Sequence, residues 1–370
     1  MNPTLKHLSE DHDIMKFTLS NINVSLANAI RRTIINDIPT VVLGTEIYQD
    51  NKCKIEINTG RLHNELVKQR LSSIPVHIAS EKEMESFPGQ YILVVDVANN
   101  TDSTMYVTTE DFKIKQKEGD KFLSQDEVRA IFPPDTTTRD YIDFVRLRPR
   151  IGDSIPGEQI KLTCEFTVDS AKTNGMFNVV SKCTYGNTPD LEKGDEAWEE
   201  KQQKLAEDDV TKDEIDFHKR NFYLLDAQRY YTPDSFDFQI QTVGVFDNKV
   251  LVKKACSILR NYFLTMHTNL ESDSVPIRPS LTTMDNAFDI TLMDADYTVG
   301  KTIEYILYDK YYIDQQILSF CGFKKVHPHD SDSVIRVAYK EATEKHILKQ
   351  HLRDVCVVAA DIFDKVDKMF

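Results

Sequence analysis

Residues 19–34 read LSNINVSLANAIRRTI, and residues 292–307 read LMDADYTVGKTIEYIL. The two stretches carry one pattern at a constant spacing of 273 positions: Leu19 with Leu292, Ser25 with Thr298, Leu26 with Val299, Ala27 with Gly300, Ile30 with Ile303. Each reads as the end of a strand, a polar turn and an amphipathic helix. Ser25 and Thr298 are the expected helix caps, because a hydroxyl there can accept a bond from an orphan N–H of the first turn. Leu26, Ile30 and Ile34 recur at every fourth position, as do Val299, Ile303 and Leu307. Two such helices can each cover the apolar face of the other. The repeat therefore predicts two similar half-modules around one core, a dimer written as a fusion with pseudo-two-fold symmetry. Those six residues are the predicted dimer core.

Working outward, Pro39 stops the first helix, since the residue before a proline disfavours helical geometry. VVLGTEIY (41–48) then reads as a strand. From about Asn51 the pattern changes to short strands such as KIEIN, QYILVVDVAN, TMYVTT and KLTCEFTV, punctuated by glycine and proline. Residues 190–216 hold twelve acidic residues against four lysines, and include the only tryptophan, Trp198. They read as an exposed helix or connector. FDFQIQTVGVF, from Phe236, returns to strand, and Val252, Ala255, Cys256, Leu259, Tyr262, Phe263 and Met266 mark a helix at three-to-four spacing. ESDSVPIRPS is polar and carries two prolines, as a linker would. A strand SVIRVAY and a long terminal helix from about Ala342 complete the second copy. The predicted class is α+β. The predicted organisation is a first dimerisation domain from 1–50 plus 217–270, an inserted β-rich domain at 51–216, a linker at 271–280 and a second module at 281–370.

Composition narrows the function. The net charge is −14 and the isoelectric point about 5.2. A chain whose main task was to grip DNA would be basic, because phosphate contacts supply most non-specific affinity. Little direct nucleic-acid contact is expected. No run approaches the ~18 apolar residues of a membrane helix, and MNPTLKHLSEDHD has no apolar signal core. The expectation is a soluble, intracellular protein without membrane contact. Cys53, Cys164, Cys183, Cys256, Cys321 and Cys356 are too widely spaced for a CxxC zinc knuckle or a disulfide framework, so buried reduced thiols are expected.

The segment ANAIRR followed by IPT resembles the alpha-type assembly subunits of multisubunit RNA polymerases: bacterial alpha, archaeal D and the third-largest eukaryotic subunit. NELVKQRLSSIPV (64–76) resembles a second block of the same family. The second copy is similar to the smaller partner, the archaeal L or eleventh eukaryotic subunit, through DADYTVG (294–300) and FCGFKKVHP (320–328). Tyr297 stands where that family usually has histidine. The resemblance implies an inserted domain that interrupts the first dimerisation domain, and a non-catalytic assembly platform for a DNA-directed RNA polymerase. Its implied partners are the second-largest and largest catalytic subunits and small accessory subunits. Arg31, Arg32, Glu65 and Arg70 are the residues it marks for large-subunit contact. Arginine suits that role, because its fork bonds carboxylates in pairs. The second copy has Glu304 and Tyr305 opposite the arginines, so the two halves are expected to face different partners. Many relatives carry a cysteine cluster in the inserted domain that is missing here. With the fusion, this resembles the third/eleventh-type subunit of large nucleocytoplasmic DNA viruses, which would place the protein in host cytoplasm and virion.

Independent chemistry has few candidates. Asp294 and Asp296 are a carboxylate pair of the kind that holds Mg²⁺ for nucleotidyl transfer, but the matching residues of the first copy are Asn21 and Asn23. His327 and His329 flank a proline, as in a turn. His346 and His351 miss the i, i+4 spacing of a helical metal pair. No catalytic residue, cofactor or metal is expected. A stand-alone metal-dependent nucleotidyltransferase and an acidic DNA-mimic interaction protein are the alternatives.

Overall fold

The two related stretches have the same local structure. Strands Ile14–Ser20 and Ala287–Leu292 lead into helices Val24–Asn36 and Tyr297–Leu307. In the turn between, Asn21 and Asp294 both adopt left-handed backbone, with φ of 58° and 49°. Asparagine and aspartate tolerate that conformation best among residues with a side chain. The helix caps differ from the sequence expectation. Asn23 Oδ1 accepts from Ser25 N–H at 2.9 Å, and Asp296 Oδ1 from Thr298 N–H at 2.8 Å. Each helix starts three residues after the left-handed residue, so Ser25 and Thr298 already lie in its first turn and supply the orphan donor instead of the cap.

A computed structural model describes residues 1–46, 49–152, 154–207, 211–281 and 284–370. Every strand pair with a defined register is antiparallel, and with the interspersed helices the class is α+β. One compact unit comprises residues 1–33, 182–241 and 252–370. It holds two four-stranded sheets. The first runs in the order Thr4–Asp11, Ile14–Ser20, Tyr231–Thr242, Val180–Pro189; the second runs Ile277–Pro279, Ala287–Leu292, Ser333–Tyr339, Leu318–Lys324. Met15, Phe17 and Leu19 alternate onto the buried face of the first. Phe17 pairs in register with Phe238, and their rings stack at 5.0 Å. Helix Asn248–Glu271 meets the final helix Lys345–Asp367 through Phe263 and Phe363 and an Arg260–Asp364 bond of 2.8 Å.

The other unit comprises residues 34–181 and 242–251. Strands Thr40–Leu43, Gln159–Asp169, Tyr91–Ala98 and Lys113–Gln116 form its main sheet, and Cys53–Asn58 also pairs with Gln159–Asp169. A separate two-stranded ribbon joins Met105–Thr108 to Asp143–Leu147.

Where the chain passes between units differs from the sequence reading of 50 and 216. The first two crossings fall between Thr33 and Ile34 and between Ser181 and Lys182, and the chain re-enters the β-rich unit briefly at Thr242–Leu251. Strand Thr40–Leu43 pairs with Gln159–Asp169, which draws it into the β-rich unit, while Val180–Pro189 completes the sheet of the other. The VVLGTEIY strand is shorter than expected, and its residues 47–48 lie outside the described residues. The acidic stretch folds as two helices, Leu191–Glu207 and Lys212–Leu224, with Trp198 buried against Phe222; residues 208–210 lie outside the described residues. Within the expected linker, Ile277–Pro279 is an edge strand paired with Ala287–Leu292; of the expected second module, 282–283 are not described. Five cysteines are buried and Cys321 is half-buried, all as free thiols. Among the described residues, no helix is long and apolar enough to cross a membrane.

Candidate assembly interface

The six predicted core residues are all buried: Leu26, Ile30 and Ile34 on the first helix, and Val299, Ile303 and Leu307 on the second. Arg32 links the two repeated stretches directly. Its Nη2 donates to Asp296 Oδ2 at 2.6 Å, and its Nε donates to Thr298 Oγ1 at 2.9 Å. The residue marked for a large-subunit contact is therefore engaged inside the chain, on the N-terminus of the second helix. An N-cap carboxylate interacts well with the positive end of a helix, and the Arg32 cation pairs with that same carboxylate. Burial pushes the Asp296 carboxyl upward. The bonds from Thr298 and Arg32 outweigh that effect and hold it below the usual carboxylate range.

Arg31 points differently. Its Nε donates to Asn28 Oδ1 at 3.0 Å. It is half-buried and has no carboxylate partner among the described residues. Of the adjacent arginines, one is consumed internally and the other retains an unneutralised charge.

Glu65 and Arg70 lie on helix Asn64–Ser72, in the β-rich unit. Glu65 sits in the first turn, exposed, with Lys68 at 3.5 Å. Arg70 donates from Nε to the Phe144 carbonyl and from Nη2 to the Asp143 carbonyl, both at 2.7 Å. It pins strand Asp143–Leu147 to this helix. A cavity of about 540 Å³ opens beside it, lined also by Arg61, Arg146 and Arg148. Sequence reasoning missed those three. The alternation in RLRPR, with arginine at 146, 148 and 150, was the available signal.

The motif residues of the second copy have a packing role. A side chain at Gly300 would place its Cβ 2.0 Å from the Phe323 ring, so only glycine admits that ring against the helix. Tyr297 meets the same ring edge-on at 5.2 Å. Phe323 N–H in turn donates to Glu304 Oε1 at 3.1 Å. The YTVG and FCGF segments are thus two sides of one contact.

The carboxylate pair is not poised for joint ligation. Both oxygens of Asp296 are engaged, one by the helix amide and one by Arg32, while Asp294 is the left-handed residue of the turn. His327 Nδ1 accepts from His329 N–H at 3.1 Å, as a local turn. His351 stacks on Tyr311 at 4.2 Å and bonds the Tyr339 hydroxyl at 2.8 Å.

Two strand–turn–helix stretches, each with a buried helix face, are joined by the bonds of Arg32. The RNA polymerase Rpb3/Rpb11 dimerisation domain matches residues 16–263. The chain belongs to this family. Within it, subunit 3B of RNA polymerases IV and V from Arabidopsis thaliana is 39% identical over 82 residues, 22% of this chain and 23% of that protein. Subunit Rpo3 of the Pyrococcus furiosus RNA polymerase is 36% identical over 70 residues, 19% of this chain and 24% of the relative. The chain thus spans about a quarter of the length of these polymerase relatives. A conjugation stage-specific protein of Tetrahymena thermophila is 24% identical over 302 residues, 70% of this chain and 92% of its own length. The Rpb3/Rpb11 match ends inside helix Asn248–Glu271, ahead of the second copy.

Proposed function

We propose that this chain is a non-catalytic assembly subunit of a multisubunit DNA-directed RNA polymerase, and that it carries both alpha-like partners in one polypeptide. Family membership supports the polymerase role. The observation that carries the fused arrangement is the bond from Arg32 to the cap of the second helix, within one compact unit. In separate subunits such a bond would hold two chains together. Here it joins two parts of one chain, at no cost in translational freedom.

In this reading the fused pair presents Arg31, Glu65 and the helix that carries Arg70 to the largest and second-largest catalytic subunits, and small accessory subunits join the same platform. Catalysis resides in the large subunits. Fusion and the wide spacing of the cysteines favour a large DNA virus as its source, with the enzyme in host cytoplasm and virion; detection of the chain in purified virions tests that placement. The functional test is purification on a tagged full-length chain from its native cells. Both large subunits and template-directed RNA synthesis are expected in the eluate. An eluate that contains neither refutes the reading.

A further inference from the structure

The β-rich unit contains a concentration of positive charge that the rest of the chain does not lead one to expect. Strand Asp143–Leu147 sends Val145 and Leu147 inward and Arg146 outward, and Arg148 continues the outward row. Tyr106 is the register partner of Arg146 across the ribbon and is 55% exposed. Arg61 and Arg70 close the other side of the same 540 Å³ cavity. Four guanidinium groups therefore converge on one concavity in a chain of net charge −14.

Two of the four are held in place by the fold. Arg70 is fixed by the two carbonyls it bonds. Arg148 is fixed by the buried Glu158, whose carboxylate takes its Nε at 2.5 Å and its backbone N–H at 2.8 Å. Glu158 neutralises Arg148 alone. Arg61 and Arg146 have no ion pair among the described residues. Asp143 also lines the cavity and adds a second carboxylate beside Glu158, so the four arginines outnumber the acids by two. The cavity holds an excess of positive charge on partly pre-ordered forks, beside an exposed aromatic ring.

We propose that this cavity is a docking groove for an acidic protein segment, its aspartate or glutamate side chains held by Arg61 and Arg146 and its apolar atoms against Tyr106. The fork of arginine matches a carboxylate in two parallel bonds. The volume lies within the range of sites that enclose a few side chains. A nucleic-acid strand fits less well: its affinity grows with the number of phosphates neutralised along a track, and these arginines cluster in one concavity on an acidic chain. The inference rests on the polymerase reading only for the partner's identity, which is another subunit of the same assembly.

Two measurements on the full-length chain test it. In the first, fluorescence anisotropy compares a labelled polyglutamate peptide with a labelled single-stranded DNA of equal charge. The peptide is expected to bind more tightly, and Arg61→Glu with Arg146→Glu to weaken it roughly tenfold or more. Lys121→Glu, an exposed charge of the same unit away from the cavity, is expected to leave it unchanged. No peptide binding, tighter DNA binding, or equal loss with Lys121→Glu overturns the groove whatever assembly the chain belongs to. In the second, Tyr106 is replaced by a photo-crosslinking phenylalanine in the purified assembly. The expected adduct is one segment of another polymerase subunit, rich in aspartate and glutamate. An adduct to nucleic acid or to a segment without carboxylates, or no adduct when the large subunits are present, overturns the groove and leaves the polymerase reading intact. Absence of the large subunits from the assembly overturns that reading and with it the partner assigned here.

Discussion

Phe263 and Phe363 stack with ring centroids 6.0 Å apart and planes within 14°. Phe263 closes the stretch that matches the family domain, and Phe363 lies on the final helix of the chain, beyond it. Both rings are fully buried. One core therefore serves the matched region and the region after it. Phe263→Ala or Phe363→Ala should each cost about 3–5 kcal/mol of stability. The two losses should couple by about 0.5–1.5 kcal/mol in a double-mutant cycle. Strictly additive losses by chemical denaturation would show that the rings do not share a packing site.

The Asp296 cap should make stability depend on acid. Its folded carboxyl titrates below the ordinary value, so its contribution is fully present above the unfolded pKa of about 3.9. That contribution is lost as pH falls through the lower, folded value. Asp296→Asn keeps a cap but removes the titrating group and the charge opposite Arg32. The stability gap between wild type and variant should be widest near neutral pH and shrink below about pH 4. A gap that stays constant from pH 7 to pH 3, by denaturant titration, would contradict the assigned charge pair.

Gly300→Ala places a methyl group into the Phe323 ring. Overpacking of this kind costs about 1–3 kcal/mol. Phe323→Leu in the same chain should return part of that loss, because the smaller side chain vacates the space the methyl needs. Thermal melts of the two single variants and the double variant read this directly; a fully tolerated Gly300→Ala would mean that the ring and helix are not in contact.

Arg31 is the arginine of the pair that the proposed function assigns to a partner. Arg31→Ala should leave the stability of the chain within about 0.5 kcal/mol of wild type. It should also weaken retention of the second-largest subunit, roughly tenfold or more if the partner carboxylate is buried. Equal retention in a salt-matched co-purification would remove Arg31 from the interface.

Much of this was legible in the sequence because the repeat is periodic. Leu26, Ile30, Val299 and Ile303 declare a buried helix face through spacing alone, and all are buried. The caps were misread because Ser25 and Asn23 are both good capping residues and only the start of the helix decides between them. Adjacent Arg31 and Arg32 looked alike in sequence. Their divergence depends on a carboxylate hundreds of positions away, and no local pattern encodes that. The boundary near residue 50 failed for a related reason: strand Thr40–Leu43 belongs to whichever sheet it pairs with, and its partner is Gln159–Asp169. The arginine-lined cavity was hidden because its parts come from four separate segments, 61–70, 104–106, 143–148 and Glu158.

The central claim is that both alpha-like partners reside in this one chain. Native mass spectrometry of the assembly captured on the tagged full-length protein tests it most directly. The account predicts the two large subunits with a single copy of this chain and no separate small dimerisation subunit. A second, small chain of the eleventh-subunit or L type, present in equal amount and crosslinked to helix Val24–Asn36, would contradict it.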